Sequence, residues 1–114
     1  MKSPSIRILF GAASSLGPGK IALLESISRA GSISGAAREM GMSYRRAWLL
    51  VEAMNTAFTQ PVVMAVTGGK RGGGAEVTAF GLSLLERYRK IEAKAAAAVV
   101  VDLKALAKML VQRE

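Results

Sequence analysis

The chain has 114 residues, enough for one small domain, and carries 16 Lys and Arg against 8 Asp and Glu, a net charge of +8. It has no cysteine and no histidine, which excludes disulfides, cysteine-ligated zinc and nucleophile–base pairs built on Cys or His. A basic domain of this size attracts polyanions, nucleic acid or anionic membrane foremost, and no apolar run approaches the ~20 residues of a membrane span.

The first residues, MKSPSIRILF, pair a lysine with a short apolar run, but Arg7 interrupts it, so a secretory leader is not expected and the absence of cysteine fits a cytoplasmic protein. Ser5 to Phe10 alternates around Arg7 and reads as a strand. Gly11 to Gly19 reads as a connection. It ends in Gly19-Lys20, as a phosphate loop would, but Ser14 and Ile21 stand where that motif needs glycine and a hydroxyl, so the match fails. A helix is predicted from Pro18 or Gly19 to Ala30, with Ile21, Leu24, Ile27 and Ser28 on one face, Leu23 beside them and Gly31 ending it.

Gly31 to Phe58 reads as a short helix, a tight turn and a longer helix. Ser32 or Ser34 is placed to cap the first, over Ser32 to Met40, by accepting from a first-turn N–H. Ala36, Ala37 and Met40 make its buried stripe, and Gly41 supplies the left-handed residue that ends it. Ser43 then caps the second helix, whose apolar positions are Tyr44, Ala47, Trp48, Val51, Met54 and Phe58. Arg45 and Arg46 open its other face. In a helix-turn-helix the first turn of the second helix enters the DNA major groove.

Thr59-Gln60-Pro61 stops that helix. Val62 to Val66 and Ala75 to Thr78 read as strands joined by the glycine-rich loop TGGKRGGG, which carries Lys70 and Arg71, and together they make a β-hairpin wing. Thr78 caps a last helix running from Ala79 to about Val111. Its apolar residues Phe80, Leu84, Tyr88, Ile91, Ala95, Ala98, Leu106 and Leu110 nearly form a coiled-coil repeat. Fully helical, the segment would be about 50 Å long, too long for so small a domain to cover, so its stripe is expected to pair with the same helix of a second subunit. Val99-Val100-Val101 lowers helix propensity and Asp102 is a plausible cap, which leaves a bend near 99–102 open. The division expected is a winged helix-turn-helix over 1–78 and a dimerisation helix over 79–114. The fold class is mainly α with a small β-hairpin.

GSISGAA at 31–37, SYRRAW at 43–48, Met54-Asn55 and TGGKRGGGA at 67–75 together resemble the N-terminal DNA-binding domain of ModE-type molybdate-dependent transcriptional regulators. Gly19 to Leu24 fits as well, and the order and spacing agree over roughly 5–95. The helix-turn-helix is also similar to LysR-type domains, whose wing lacks this loop. The resemblance implies a winged helix whose long terminal helix pairs two subunits, binding to double-stranded DNA, and control of molybdenum-related genes. It does not carry over molybdate sensing, because the chain stops at Glu114 in what reads as the pairing helix. No cofactor, metal or small-molecule substrate is expected of it.

The residues expected at DNA are Ser34, Ser43, Tyr44, Arg45, Arg46, Lys70 and Arg71. Arginine can bond guanine bidentately. A serine hydroxyl or first-turn N–H can meet a phosphate, and glycines let a basic loop approach the duplex. Tyr44 has two readings, phosphate contact or packing on the preceding helix. Trp48 is expected in the core. Leu49, apolar beside the DNA face, suits either a thymine methyl or packing under the wing. Leu84, Tyr88, Ile91, Ala95 and Ala98 are the expected subunit seam, with Arg87, Arg89, Lys90 and Lys94 on a solvated face. A rival reading is a winged-helix protein-interaction module with weak DNA binding. An enzyme is set aside for want of His, Cys or a carboxylate pair, and a membrane-surface helix is disfavoured by the wing.

Overall fold

A computed structural model describes residues 6–9, 15–67 and 74–111. Among these, a two-residue ribbon of β1 (Ile8–Leu9) and β2 (Ser15–Leu16) precedes three helices, α1 (Pro18–Ala30), α2 (Ile33–Met40) and α3 (Tyr44–Ala57). The hairpin of β3 (Val63–Val66) and β4 (Gly74–Val77) follows, and α4 (Ala79–Ala107) closes the chain. Both strand pairs are antiparallel, with Ile8 opposite Leu16 and Val63 opposite Val77. This is a winged helix-turn-helix extended by one long helix.

Each junction is made by the residue whose chemistry suits it. The Ser32 hydroxyl accepts from the Gly35 N–H at 2.9 Å, so Ser32 caps α2 and Ser34 lies inside the helix. Gly31 and Gly41 end α1 and α2 at φ 74° and 68°, the left-handed region that costs any residue with a Cβ. The Thr78 hydroxyl caps α4 through the Gly81 N–H and donates to the Pro61 carbonyl, fastening the hairpin's two ends together.

The main core joins Leu23, Leu24 and Ile27 of α1 to Ala36 and Ala37 of α2, Ala47, Val51 and Met54 of α3, and Val62, Val63 and Ala75 at the wing. Met40 and Phe58 pack at its margin, and Phe58 meets Phe80 with ring centroids 6.3 Å apart. Ser28 is exposed, and the serine that turns inward is Ser26, whose hydroxyl is buried. The expected strand over Ser5 to Phe10 is confined, in the described residues, to Ile8–Leu9, and its partner lies in what read as a plain connection.

A smaller core lies at the base of α4. Tyr88 is 1% exposed, packed with Leu16 and Ile21, and its hydroxyl donates to the Ile6 carbonyl. The expectation that Tyr88 forms a subunit seam is therefore corrected: its ring is covered within its own subunit. The helix runs unbroken through 99–102, Asp102 lies within it rather than capping a new one, and it ends at Ala107 instead of near Val111. β-branched residues cost only tenths of a kcal/mol each in a helix, too little to break one flanked by alanine and leucine. No helix of the described residues is long and apolar enough to cross a membrane.

Burial, with help from the Glu92 charge, raises the Tyr88 phenol above its ordinary pKa of 10.0. The folded chain thus prefers the neutral phenol. Its contribution to stability is complete below pH 10 and is lost as pH rises through the folded value. Tyr88→Phe is expected to cost about 1 kcal/mol at neutral pH, one hydrogen bond. It should also flatten the alkaline fall in stability, which urea unfolding followed across the alkaline range will test.

Candidate nucleic-acid interface

Successive residues of a helix turn by about 100°. The buried side of α3 holds Ala47, Val51 and Met54. The side opposite holds Arg45, Leu49, Glu52 and Thr56, all exposed. Arg46 flanks this face on one edge, Tyr44 and Trp48 on the other. Ser43 fixes where the helix starts, its hydroxyl accepting from the Arg46 N–H at 3.1 Å. That bond uses the serine as a cap and sets both arginines in the first exposed turn.

Neither arginine has a side-chain hydrogen bond or ion pair among the described residues; Arg38, Arg87, Lys94, Lys104 and Lys108 likewise have none, while Arg29, Arg89 and Lys90 are paired on the scaffold. Arg29 binds Glu39 between α1 and α2. Arg89 binds Glu25 at 2.6 Å and Glu92 at 2.8 Å, and Lys90 faces Glu86 at 3.4 Å. The hydrogen bond from Arg29 holds the Glu39 carboxyl below its usual range and raises the Arg29 guanidinium in return. Arg45 and Arg46 stand instead at the positive end of the α3 dipole, where only an added anion relieves them.

Two depressions bracket this turn. Ser43, Arg45, Arg46, Leu49 and Leu50 line a shallow one of about 350 Å³. A second, of about 320 Å³, lies between α2, α3 and the hairpin, and Ser34, Tyr44 and Trp48 line it. The structure thus groups Ser43 with the two arginines, and Ser34 with Tyr44. Trp48 is 42% exposed, which corrects its expected place in the core. Of Tyr44's two readings, packing in the core fails: the ring is 55% exposed and its hydroxyl is unbonded among the described residues. Leu49 is 46% exposed among the described residues. Lys70 and Arg71 lie outside the described residues. No set of three His, Cys, Asp or Glu among the described residues is grouped to hold a metal.

Asn55 stands in the Met54-Asn55 pair of the resemblance, but it has a structural role that the motif did not give. Its amide oxygen accepts from the N–H groups of Val62 (2.8 Å) and Val63 (3.2 Å), and its amide nitrogen donates to the Val63 carbonyl at 3.1 Å. One side chain thus pins the start of β3 to α3. The available signal was an asparagine on the flank of the core-facing stripe, next to Met54, where burial demands partners. From the other strand, Ala75 N–H donates to the Gly31 carbonyl at 2.9 Å. A Cβ on Gly74 would stand 2.6 Å from that same oxygen, so the residue must be glycine for β4 to close on α1.

No protein-family model matches the chain. Curated relatives do. The molybdenum-pterin-binding protein MopB of Rhodobacter capsulatus is 53% identical over 78 residues, 68% of this chain and 29% of that one. The molybdenum transport protein ModE of Azotobacter vinelandii is 41% identical over 73 residues (64% and 27%). The DNA-binding transcriptional dual regulator ModE of Escherichia coli K12 is 42% identical over 71 residues (62% and 27%). The resemblance to ModE-type regulators seen in the motifs therefore holds, and it is confined to their N-terminal part. The chain spans less than a third of the length of these relatives.

Among solved structures, the CbnR DNA-binding domain in complex with DNA aligns at a TM-score of 0.58 and 20% identity, over 77% of this chain and 95% of that one. The full-length LysR-type regulator LysG of Corynebacterium glutamicum aligns at 0.56 and 23% (82% and 30%). At these identities the likeness shows the fold alone, a winged helix.

Removing the Asn55 amide leaves two N–H groups and a carbonyl without their partner. Asn55→Ala is expected to cost about 2–4 kcal/mol in urea unfolding, each partly buried group contributing on the order of 1 kcal/mol. Amide exchange should quicken first at 62–66 and 74–77 while α3 stays protected. Equal loosening of helix and hairpin would show that Asn55 is not the clamp between them.

Proposed function

We propose that the chain is a sequence-specific DNA-binding transcriptional regulator of the ModE type, acting in the cytoplasm as a homodimer, with molybdenum-related genes as its targets. The observation that carries the proposal is the pair of unpaired arginines, Arg45 and Arg46, in the exposed first turn of a capped α3. A hairpin clamped to that same helix supports it. In this reading the exposed face of α3 enters the major groove and the hairpin loop with Lys70 and Arg71 lies beside it. Ser34, Ser43 and Tyr44 supply hydroxyls and N–H groups for the phosphates that fix the register. The names of the relatives support the targets, and molybdate sensing forms no part of the proposal.

Homodimer formation is supported by α4. At 29 residues it is about 43 Å long. Past Tyr88 its large apolar residues Ile91, Val100, Val101 and Leu106 are exposed. Leu84, Ile91, Ala95 and Ala98 form the proposed seam, Leu84 packing in part on both cores and the others lying past Tyr88. The same uncovered stretch also supports a second reading, a protein-interaction module with weak DNA binding.

Selection from a random duplex pool at moderate salt is expected to return a near-palindromic site with half-sites about one helical turn, or a multiple, apart. No retained DNA would favour the interaction module. On the selected site, the double variant Arg45→Ala/Arg46→Ala should lose at least about tenfold in affinity and most of its site preference. Wild-type affinity should fall steeply on a log–log plot against salt. In sedimentation, Ile91→Glu should move the dimer to monomer without changing the circular dichroism of the fold; an unmoved dimer would put the seam elsewhere.

A further inference from the structure

At the centre of the exposed face of α3 there is one large apolar side chain, with Ala53 on one edge and Tyr44 and Trp48 on the other. Arg45, Glu52 and Thr56 share that face with Leu49, which is 46% exposed and touches no core cluster. An apolar side chain left in water forgoes the free energy of its burial, so it is retained at no benefit to this fold. Leu49 lies one helical turn beyond Arg45 and three residues beyond Arg46. The three line the same shallow depression with Ser43 and Leu50. Its surroundings are thus two unpaired guanidinium groups, a hydroxyl and the half-buried Leu50, a setting for an apolar group carried on a polyanion.

The major groove offers one such group. Of the four base edges, thymine alone carries a methyl, at C5, and apolar contact with it is a recognised means of readout. We infer that Leu49 is a specificity-determining residue that reads a thymine C5-methyl within each half-site, with Arg45 and Arg46 holding the flanking guanine or phosphate oxygens. The inference rests on the DNA-binding reading above and adds a base to it. Four residues of helix rise span about 6 Å, and base pairs stack at about 3.4 Å. The thymine therefore lies one or two pairs from the position read by Arg45. Rivals for the methyl beside this face are Trp48 and Ala53, which do not line the depression beside the arginines, and Thr56, whose hydroxyl is bonded back to the Glu52 carbonyl at 2.5 Å, three turns from the helix start.

The test is a cycle between protein and DNA on the selected duplex. Each thymine of the half-site is replaced in turn by deoxyuridine, which pairs identically and lacks only the methyl. For wild type, one such replacement is expected to weaken binding about fourfold per half-site, the worth of one buried methyl. Leu49→Ala should weaken binding to the thymine duplex by a similar factor and be indifferent to the replacement. Because Leu49 is outside the core, the variant should melt with wild type, which separates loss of contact from loss of fold. If no replacement affects wild type while Arg45→Ala does, the thymine inference is overturned and the DNA-binding reading stands. Methyl dependence that persists in Leu49→Ala also overturns it and assigns the contact to another residue. Failure to retain any specific duplex overturns the DNA-binding reading, and the inference with it.

Discussion

The site depends on a single side chain that holds two weak elements in register. A two-stranded hairpin is marginal on its own, and the wing has four residues in each strand. What fixes it is the Asn55 amide, which satisfies two N–H groups and a carbonyl at the point where the chain turns from α3 into β3. The distance from Ser43 to Asn55 is set by helix geometry, so the cap at one end of α3 and the clamp at the other place the arginines relative to the wing. Ala75 on Gly31 and Thr78 on Pro61 and Val62 close the remaining sides. The hairpin is thus tied to α1, α3 and the start of α4, and a shift of any of them moves the wing with it.

Charge is arranged on the same plan. Exposed ion pairs contribute little stability, so Arg29–Glu39 and Arg89–Glu25 are poor explanations of why the chain folds. Their consequence is where they leave the field. Acidic residues on α1, α2 and α4 neutralise Arg29 and Arg89 locally, while the first turn of α3, like Arg38 on α2 and Arg87 and Lys94 on α4, keeps its cations without partners among the described residues. A positive pair at a helix N-terminus is mildly unfavourable in the free protein. In the proposed complex a phosphate or base edge would offset that cost, which would place part of the recognition energy in relief of a strain the fold already carries.

How much of this was legible from sequence depends on the range over which each signal acts. Caps and turn glycines act within four residues, and Ser43, Thr78, Gly31 and Gly41 stand where their chemistry required. The apolar period of α3 was legible but too generous. At about 100° per residue, Tyr44 and Trp48 lie about 60° and 100° from the centre of the Ala47–Val51–Met54 face, and whether such flanks are buried depends on how close the hairpin comes. Ser26 and Ser28 were confused for the same reason. The β1–β2 ribbon offers two residues per strand, too few for a pattern, and with it went the knowledge that Tyr88 already had a lid. Asn55 stood in the Met54-Asn55 pair, but its role as a clamp was not legible because its partners are backbone groups seven and eight residues on, which no side-chain motif reports.

The covered and uncovered parts of α4 together bear on how two copies would meet. Leu84, Ile91, Ala95 and Ala98 share a face, and helix geometry puts Asp102 within about 20° of its centre line. A two-fold axis passing near 102 would bring two carboxylates together in a partly dehydrated seam, which is costly. An axis passing nearer Ala95 brings small side chains to the closest approach, where interaxial distances fall toward the low end of about 8–10 Å, and leaves Asp102 free to meet a lysine of the other copy. In the proposed dimer, the position of that crossing, measured along α4 from the Thr78 cap, would set the separation of the two α3 helices. Spacing between half-sites would then be written in the length of helix between the wing and the first alanine of the seam, and not in any residue that touches DNA.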